Sequence, residues 1–117
     1  MTVLLVLLGG AVGAPARYLT DVAVQRAHGT AFPWGTWTVN VAGSFVLGAV
    51  AAAGPGWVVT LVGTGFCGAL TTYSTFGYET VRLSEEGETA TAVWNVVASC
   101  ALGLAAAAVG WALGTAL

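Results

Sequence analysis

Four long apolar segments, separated by short polar stretches, account for most of this chain. Residues 2–25, 34–53, 57–82 and 90–117 are rich in Ala, Val, Leu and Gly, with a turn signal at Gly54-Pro55-Gly56 and an acidic loop at residues 84–88. A helix needs about 20 apolar residues to cross a bilayer, and it satisfies its own backbone hydrogen bonds there. The segments lack the period-two alternation of barrel strands. The pattern therefore predicts an all-α membrane protein with four transmembrane helices.

Composition supports a membrane domain and excludes several functions. Of the 117 residues, 57% are hydrophobic and 7% are charged, against about 25% charged in soluble domains. Four spans would use most of the chain, so we predict a single transmembrane domain over residues 1–117. The net charge of −2 comes without a basic patch, so nucleic acid is not an expected partner. Two cysteines and one histidine make no metal set, and no nucleophile–base pair indicates an enzyme.

The positions of the arginines predict how the chain sits in the membrane. Residues 3–8 followed by Ala14-Pro15-Ala16 imitate a signal peptide, but the first arginine, Arg17, comes after the apolar run, so we interpret this segment as a retained first span. Arg26 and Arg82 flank segments one and three at the same end. By the positive-inside rule this end is expected to be cytoplasmic, in a multi-pass protein of the inner (plasma) membrane. The bias is only two arginines to none, so insertion in both orientations stays open.

A run of five hydroxyl side chains stands in the third segment, at residues 71–75. It lies within residues 29–78, fifty positions without a charged residue. Ser and Thr compete for backbone hydrogen bonds, and Gly65, Gly68 and Gly77 loosen the segment, so we predict that the third helix is broken near mid-span. Freed carbonyls at a break suit a small cation, and freed N–H groups and hydroxyls suit an anion. The alternative is a mildly kinked helix whose hydroxyls bond back to their own carbonyls.

Polar side chains in the second and fourth segments recur at helical spacing. Thr36, Asn40 and Ser44 share one face of segment two, and Asn95 and Ser99 share one face of segment four. For the pair in segment four, interhelical hydrogen bonds and a functional role are equally acceptable interpretations. For Asn40 we favour function, because an amide near mid-membrane depth is costly without one.

The available groups favour a small anion as the substrate. The first three spans contain no central carboxylate to couple protons or to capture organic cations. Neutral donors and aromatic ring edges, which carry positive partial charge, remain. A small, strongly hydrated anion could exchange water for such donors; this chemistry permits fluoride without naming it.

Three motifs resemble those of the Fluc/CrcB fluoride channels. Residues 9–18, Gly-Gly-Ala-Val-Gly-Ala-Pro-Ala-Arg-Tyr, are similar to the opening motif of that family. Gly35-Thr36, Val39-Asn40, Gly43-Ser44-Phe45 and Gly48 resemble its second-span motif. Residues 68–79, Gly-Ala-Leu-Thr-Thr-Tyr-Ser-Thr-Phe-Gly-Tyr-Glu, resemble its third-span break. Together the motifs cover three of the four segments in the family's order.

The resemblance implies a passive fluoride exporter built as an antiparallel, dual-topology dimer, with two pores and a structural sodium ion at its centre. The sodium would be held by backbone carbonyls at Gly68 and Thr71, and Arg17 would have a structural role, with Asp21 as a possible local partner. The resemblance assigns Asn40, Tyr73, Phe76 and Glu79 to the fluoride pore. Three of the hydroxyl residues noted above complete the set of expected pore residues, namely Ser74, Thr75 and Ser99. For Glu79, a solvated charge near the loop is an equally good interpretation.

Departures from the family pattern leave alternatives open. The family more often has Phe at the position of Tyr73, Gly at that of Ala69, and a longer polar track in the fourth span than Ser99 followed by Gly103 and Ala107. Tyr73 and the uneven placement of the arginines also suit one subunit of an obligate heterodimer with a paralogue. The alternative from another class is a small multidrug-type proton-coupled antiporter. That mechanism needs a carboxylate inside the first span, and segment one offers only Asp21 near its end.

Overall fold

The computed structural model describes residues 1–29 and 31–117, and over these residues the regular structure is entirely helical. Helix α1 spans Thr2–His28, α2 spans Trp34–Ala53 and α6 spans Thr89–Ala116. Between α2 and α6 the chain forms α3 (Gly56–Val58), a π-helical segment (Val59–Cys67), α4 (Gly68–Leu70) and α5 (Ser74–Glu85).

Three helices of the described chain, α1, α2 and α6, are long and apolar enough to cross a membrane. Their bounds agree closely with the predicted first, second and fourth segments. Helix α1 runs three residues beyond its predicted end, and the hydrogen bond at 2.9 Å between His28 Nδ1 and the Val24 carbonyl accompanies this last turn. Gly29 then ends the helix in the left-handed region at φ 60°. The predicted third segment is divided among four helical elements, so the count of four spans stays a prediction.

Glycines let neighbouring helices pack so closely that their backbones are in contact. In α6, a Cβ on Gly110 would overlap the Phe45 carbonyl of α2 and lie 3.0 Å from the Ala49 nitrogen. A Cβ on Gly114, one turn later, would lie 2.6 Å from the Ala49 oxygen. Lipid gives helices no hydrophobic drive to associate, so close van der Waals packing of this kind has to hold them. The four-residue spacing of Gly110 and Gly114 places both glycines on the face of α6 that touches α2.

A second glycine contact joins α1 to the π-helical segment. A Cβ on Gly9 would overlap the Leu61 carbonyl, and one on Gly65 would lie 2.9 Å from the Val6 oxygen. Gly13 stands equally close to Phe66 of the same segment. The π-helical segment is thus fixed against α1, and α2 is fixed against α6. The residues after Leu70 lie between these two pairs of packed helices.

We expect Gly110→Ala to lower the free energy of unfolding by about 1–3 kcal/mol, the usual cost of an added group in a filled contact. Thermal unfolding in detergent, followed by size-exclusion chromatography, measures this. Gly56→Ala is the matched control, because no atom lies within 4 Å of its Cβ position. Equal stability of the two variants would contradict the α2–α6 contact.

Candidate functional site

Three residues, Thr71, Thr72 and Tyr73, separate α4 from α5 without helical structure. Thr71 has φ −80° and ψ 160°, an extended conformation that directs the chain away from the axis of α4. Their backbone groups cannot use the helical pattern of hydrogen bonds. Inside an apolar protein these groups need other partners, because an unpaired peptide group there is costly.

The side chain of Asn40 supplies both partners for Thr72. Its Nδ2 donates to the Thr72 carbonyl at 2.9 Å, and its Oδ1 accepts from the Thr72 N–H at 2.8 Å. A primary amide is the side-chain group that can donate and accept in parallel like a peptide. The Thr72 hydroxyl in turn accepts from the Thr75 N–H at 3.1 Å, as capping residues do at helix starts. Asn40 is therefore bonded to the non-helical residues themselves, an arrangement that serves structure and leaves its second N–H for other acceptors.

A cavity of about 400 Å³, the central cavity, lies beside these non-helical residues. Its wall includes six of the residues predicted for the pore or the sodium ion, which are Asn40, Gly68, Thr71, Tyr73, Phe76 and Ser99. The rings of Tyr73 and Phe76 stand 6.4 Å apart with their planes at 49°. Tyr73 is 86% exposed in the single chain. Cys67 and Cys100, which the sequence analysis did not assign to a site, also lie in this wall, and Cys100 reaches it because α6 packs against α2.

Several hydroxyl protons at the central cavity point away from it. Ser44 donates to the Asn40 carbonyl at 2.7 Å, and Thr71 donates to the Cys67 carbonyl at 2.8 Å. Ser99 donates to Asn95 Oδ1 at 3.4 Å. These three oxygens can accept hydrogen bonds from the cavity but have no further proton to donate. The remaining donors for an anion are the second N–H of Asn40, the hydroxyls of Thr72 and Tyr73 and the N-terminal turn of α5, where helices carry positive partial charge.

Two further polar cavities continue from the central one through shared residues. Thr72 lines both the central cavity and a small cavity of about 190 Å³, which also has Arg17, Tyr18, Asp21, Thr36, Val39 and Thr75 in its wall. Asp21 lines both the small cavity and a third cavity of about 520 Å³. This third cavity lies at the end of the folded molecule where Arg26 and Arg82 are found. We refer to the latter as the arginine-end cavity. The three cavities form a sequence from the non-helical residues to that end.

Glu79 lies at the arginine-end cavity and is half-buried. Thr36, which is 2% exposed, lies beside its carboxylate. Glu79 Oε1 and Arg82 Nε are buried atoms without a hydrogen-bond partner among the described residues. Glu79 is thus built into the protein rather than extended into solvent, and of the two interpretations left open by the sequence, a role at the cavity fits this placement better.

A model of the family described as CrcB-like protein, Camphor Resistance (CrcB) matches residues 4–111. The chain belongs to the CrcB family. A protein of Frankia casuarinae named fluoride-specific ion channel FluC 1 is 55% identical over 127 aligned positions, which cover 100% of this chain and 98% of that relative. A FluC 1 of Streptomyces avermitilis is 52% identical over 94% of this chain and 93% of its own. A FluC 1 of Thermobifida fusca is 49% identical over 97% and 99%, respectively.

Membership of the CrcB family confirms the resemblance drawn from the three motifs, and with the apolar helices it makes this chain a multi-pass membrane protein. The remaining predicted residues lie outside the central cavity. Ser74 is exposed at the first position of α5, while Thr75 and Arg17 line the small cavity. All of the expected residues except Ser74 therefore line one of the three cavities. Which of them contact an ion stays a prediction.

We expect Asn40→Leu to lower the free energy of unfolding by about 1–3 kcal/mol, because it leaves the N–H and carbonyl of Thr72 without partners. Thermal unfolding of the detergent-solubilised protein gives the value. The control is Ser44→Ala, which removes only a bond to a carbonyl one turn earlier in the same helix. An Asn40→Leu protein as stable as the control would show that Asn40 does not hold the non-helical residues.

Proposed function

We propose that this chain is a fluoride-selective passive anion channel that exports fluoride and lowers its cytoplasmic concentration. The single observation that carries the proposal is the pair of hydrogen bonds between the Asn40 amide and the Thr72 backbone, which we call the clamp. The clamp places an amide, aromatic rings and a helix N-terminus around the central cavity. Relatives covering the whole chain at about half identity carry the name fluoride-specific ion channel. A channel, not an enzyme, fits these names and the match to the CrcB family.

The donors at the central cavity suit fluoride for a physical reason. Fluoride is small and strongly hydrated, so it enters a protein only where hydrogen-bond donors replace its water. The Asn40 N–H, the N-terminal turn of α5 and the positive edges of Tyr73 and Phe76 are such groups, and none of them carries a full charge that would hold the ion. Weak, repeated sites favour passage over tight binding. Arg17, Arg26 and Arg82 line the outer cavities together with Asp21, Glu79 and Glu86, so these walls carry charges of both signs.

The proposed assembly is an antiparallel, dual-topology dimer in the inner (plasma) membrane, with four spans per subunit and two pores. In this arrangement the residues from Gly56 to Glu85 form the third, broken span. One side of the central cavity is open in the single chain, as the 86% exposure of Tyr73 indicates. Among the described residues, a Cβ placed on Gly68 would meet no atom within 4 Å beyond its own helix backbone and chain neighbours, so this face offers room for a second subunit.

A structural sodium ion at the dimer centre fits the groups at the end of α4. This helix ends at Leu70, so its last carbonyls lack intrahelical partners and carry the negative end of the helix dipole. Neutral carbonyl oxygens are suitable ligands for a hard monovalent cation. The carbonyls of Gly68 and Thr71 would hold the ion, and they would tie the break of one subunit to that of its partner.

Reconstitution of this chain alone into liposomes tests the channel. We expect rapid efflux of fluoride, read by a fluoride electrode, while chloride stays trapped, and we expect the flux to proceed without a pH gradient. Vesicles that contain folded protein but release no fluoride would contradict a homodimeric channel. Recovery of flux on adding a paralogous subunit would then indicate an obligate heterodimer. Proton-driven transport of a cationic dye without fluoride flux would indicate the antiporter instead.

Removal of sodium tests the proposed ion. Protein purified and reconstituted without sodium should lose fluoride flux by about tenfold or more, since the ion would join two subunits at the break. Returning sodium, but not potassium, should restore the flux. Thr71→Ser is the control, because it keeps the carbonyl and the hydroxyl and should keep the sodium response. Full flux in rigorously sodium-free buffer would exclude an essential sodium.

A further inference from the structure

One fully buried amide in α6 does not belong to the wall of any of the three cavities. Asn95 is 0% exposed, although it is polar and lies in an apolar helix. Its Nδ2 donates to Thr80 Oγ1 of α5 at 2.8 Å. Thr80 Oγ1 donates to the Phe76 carbonyl at 2.9 Å. The amide therefore connects α6 to the turn of α5 that carries Phe76.

The direction of this hydrogen-bond chain follows from the number of protons available. The single proton of Thr80 is used on the Phe76 carbonyl, so toward Asn95 this hydroxyl can only accept. Nδ2 of Asn95 must then face Thr80, and Oδ1 must face the other way. There it accepts from Ser99 at 3.4 Å. A donor sequence thus runs from Ser99 through Asn95 and Thr80 to Phe76, and such chains polarise each of their members.

Ser99 and Phe76, the two ends of this hydrogen-bond chain, lie in the wall of the central cavity, whereas Asn95 lies behind it. We propose that Asn95 is a positioning residue of the pore: through Thr80 it sets the place of α5 and Phe76, and through Ser99 it fixes a hydroxyl with its oxygen toward the cavity. This role rests on the proposed channel function. It differs from a ligand role, because Asn95 has no exposed atom with which to meet an ion.

The need for such a residue follows from the break. Residues 71–73 are not helical, so α4 does not determine the direction of α5 through a continuous helix. The position of α5 then depends on contacts with its neighbours, and the Asn95–Thr80 bond is a buried polar one among them. Loss of a buried partner leaves an unpaired polar group at membrane depth, which favours a shift of the whole helix.

The flux test uses Asn95→Leu, Thr80→Val and the double variant in liposomes. Each single change should lower fluoride flux per folded channel by about tenfold, and the double variant should be no slower than the slower single one, because both remove the same link. Thr80→Ser, which keeps the hydroxyl, should restore normal flux. Thr60→Val is the matched control: Thr60 bonds to the carbonyl of Gly56, four residues earlier and 3.1 Å away, as Thr80 bonds to that of Phe76.

A second measurement does not depend on conduction. With para-fluorophenylalanine in place of Phe76, the fluorine NMR signal should shift or broaden in Asn95→Leu and in Thr80→Val, but not in Thr60→Val. If the parent protein conducts no fluoride, the channel proposal fails, and this spectrum still decides whether Asn95 positions Phe76.

Three outcomes would overturn the positioning role. The first is Asn95→Leu protein with the parent's flux and an unchanged Phe76 signal. The second is lower yield or thermal stability with unchanged flux per folded channel, which would leave Asn95 as a packing residue. The third is additive losses in the double variant, which would show that Asn95 does not act through Thr80.

Discussion

The pairing of one side-chain amide with one peptide group is the interaction on which the site depends. Asn40 gives Thr72 the donor and acceptor that a helix would otherwise supply. Without it, the chain at residues 71–73 would have either to continue as a helix or to leave polar backbone unpaired in an apolar environment. The central cavity, the start of α5 and the separation of Tyr73 from α4 all follow from this clamp.

The clamp is effective because the helices on either side of it are fixed at backbone distance. Gly9 and Gly13 hold the π-helical segment against α1, and Gly110 and Gly114 hold α6 against α2. Asn40 belongs to α2, so its amide is carried by an anchored helix. Hydrophobic packing alone would tolerate sliding between such smooth surfaces, whereas the glycine contacts allow few arrangements.

Much of the fold was predictable because it depends on local composition. The bounds of α1, α2 and α6 follow from long apolar runs and from Gly54-Pro55-Gly56, and the interruption near residues 71–73 follows from the hydroxyl run with its glycines. Two local features escaped prediction. The π-helical segment has no signal in its sequence beyond ordinary apolar residues, and α1 continues to His28 past a glutamine and an arginine that seemed to end it.

The site was less predictable, because its members acquire their roles from residues far along the chain. The spacing of Asn40 with Thr36 and Ser44 marked a polar face but could not show that the amide bonds to Thr72, thirty-two positions later. Nor could the sequence show that Glu79 meets Thr36, or that the protons of Ser44, Thr71 and Ser99 are already engaged. Counting hydroxyls therefore overestimates the donors available to an anion.

The contact of α2 with α6 has a consequence for gating. Two helices whose backbones already touch cannot approach further, and they cannot separate without losing the contacts that hold them. We therefore expect this wall of the central cavity to be its most rigid part. Any change between a closed and an open state would have to come from the short helix after the break, which no continuous helix ties to its predecessor. A protein built in this way is suited to conduct at a constant rate and to leave control of the flux to the ion gradient.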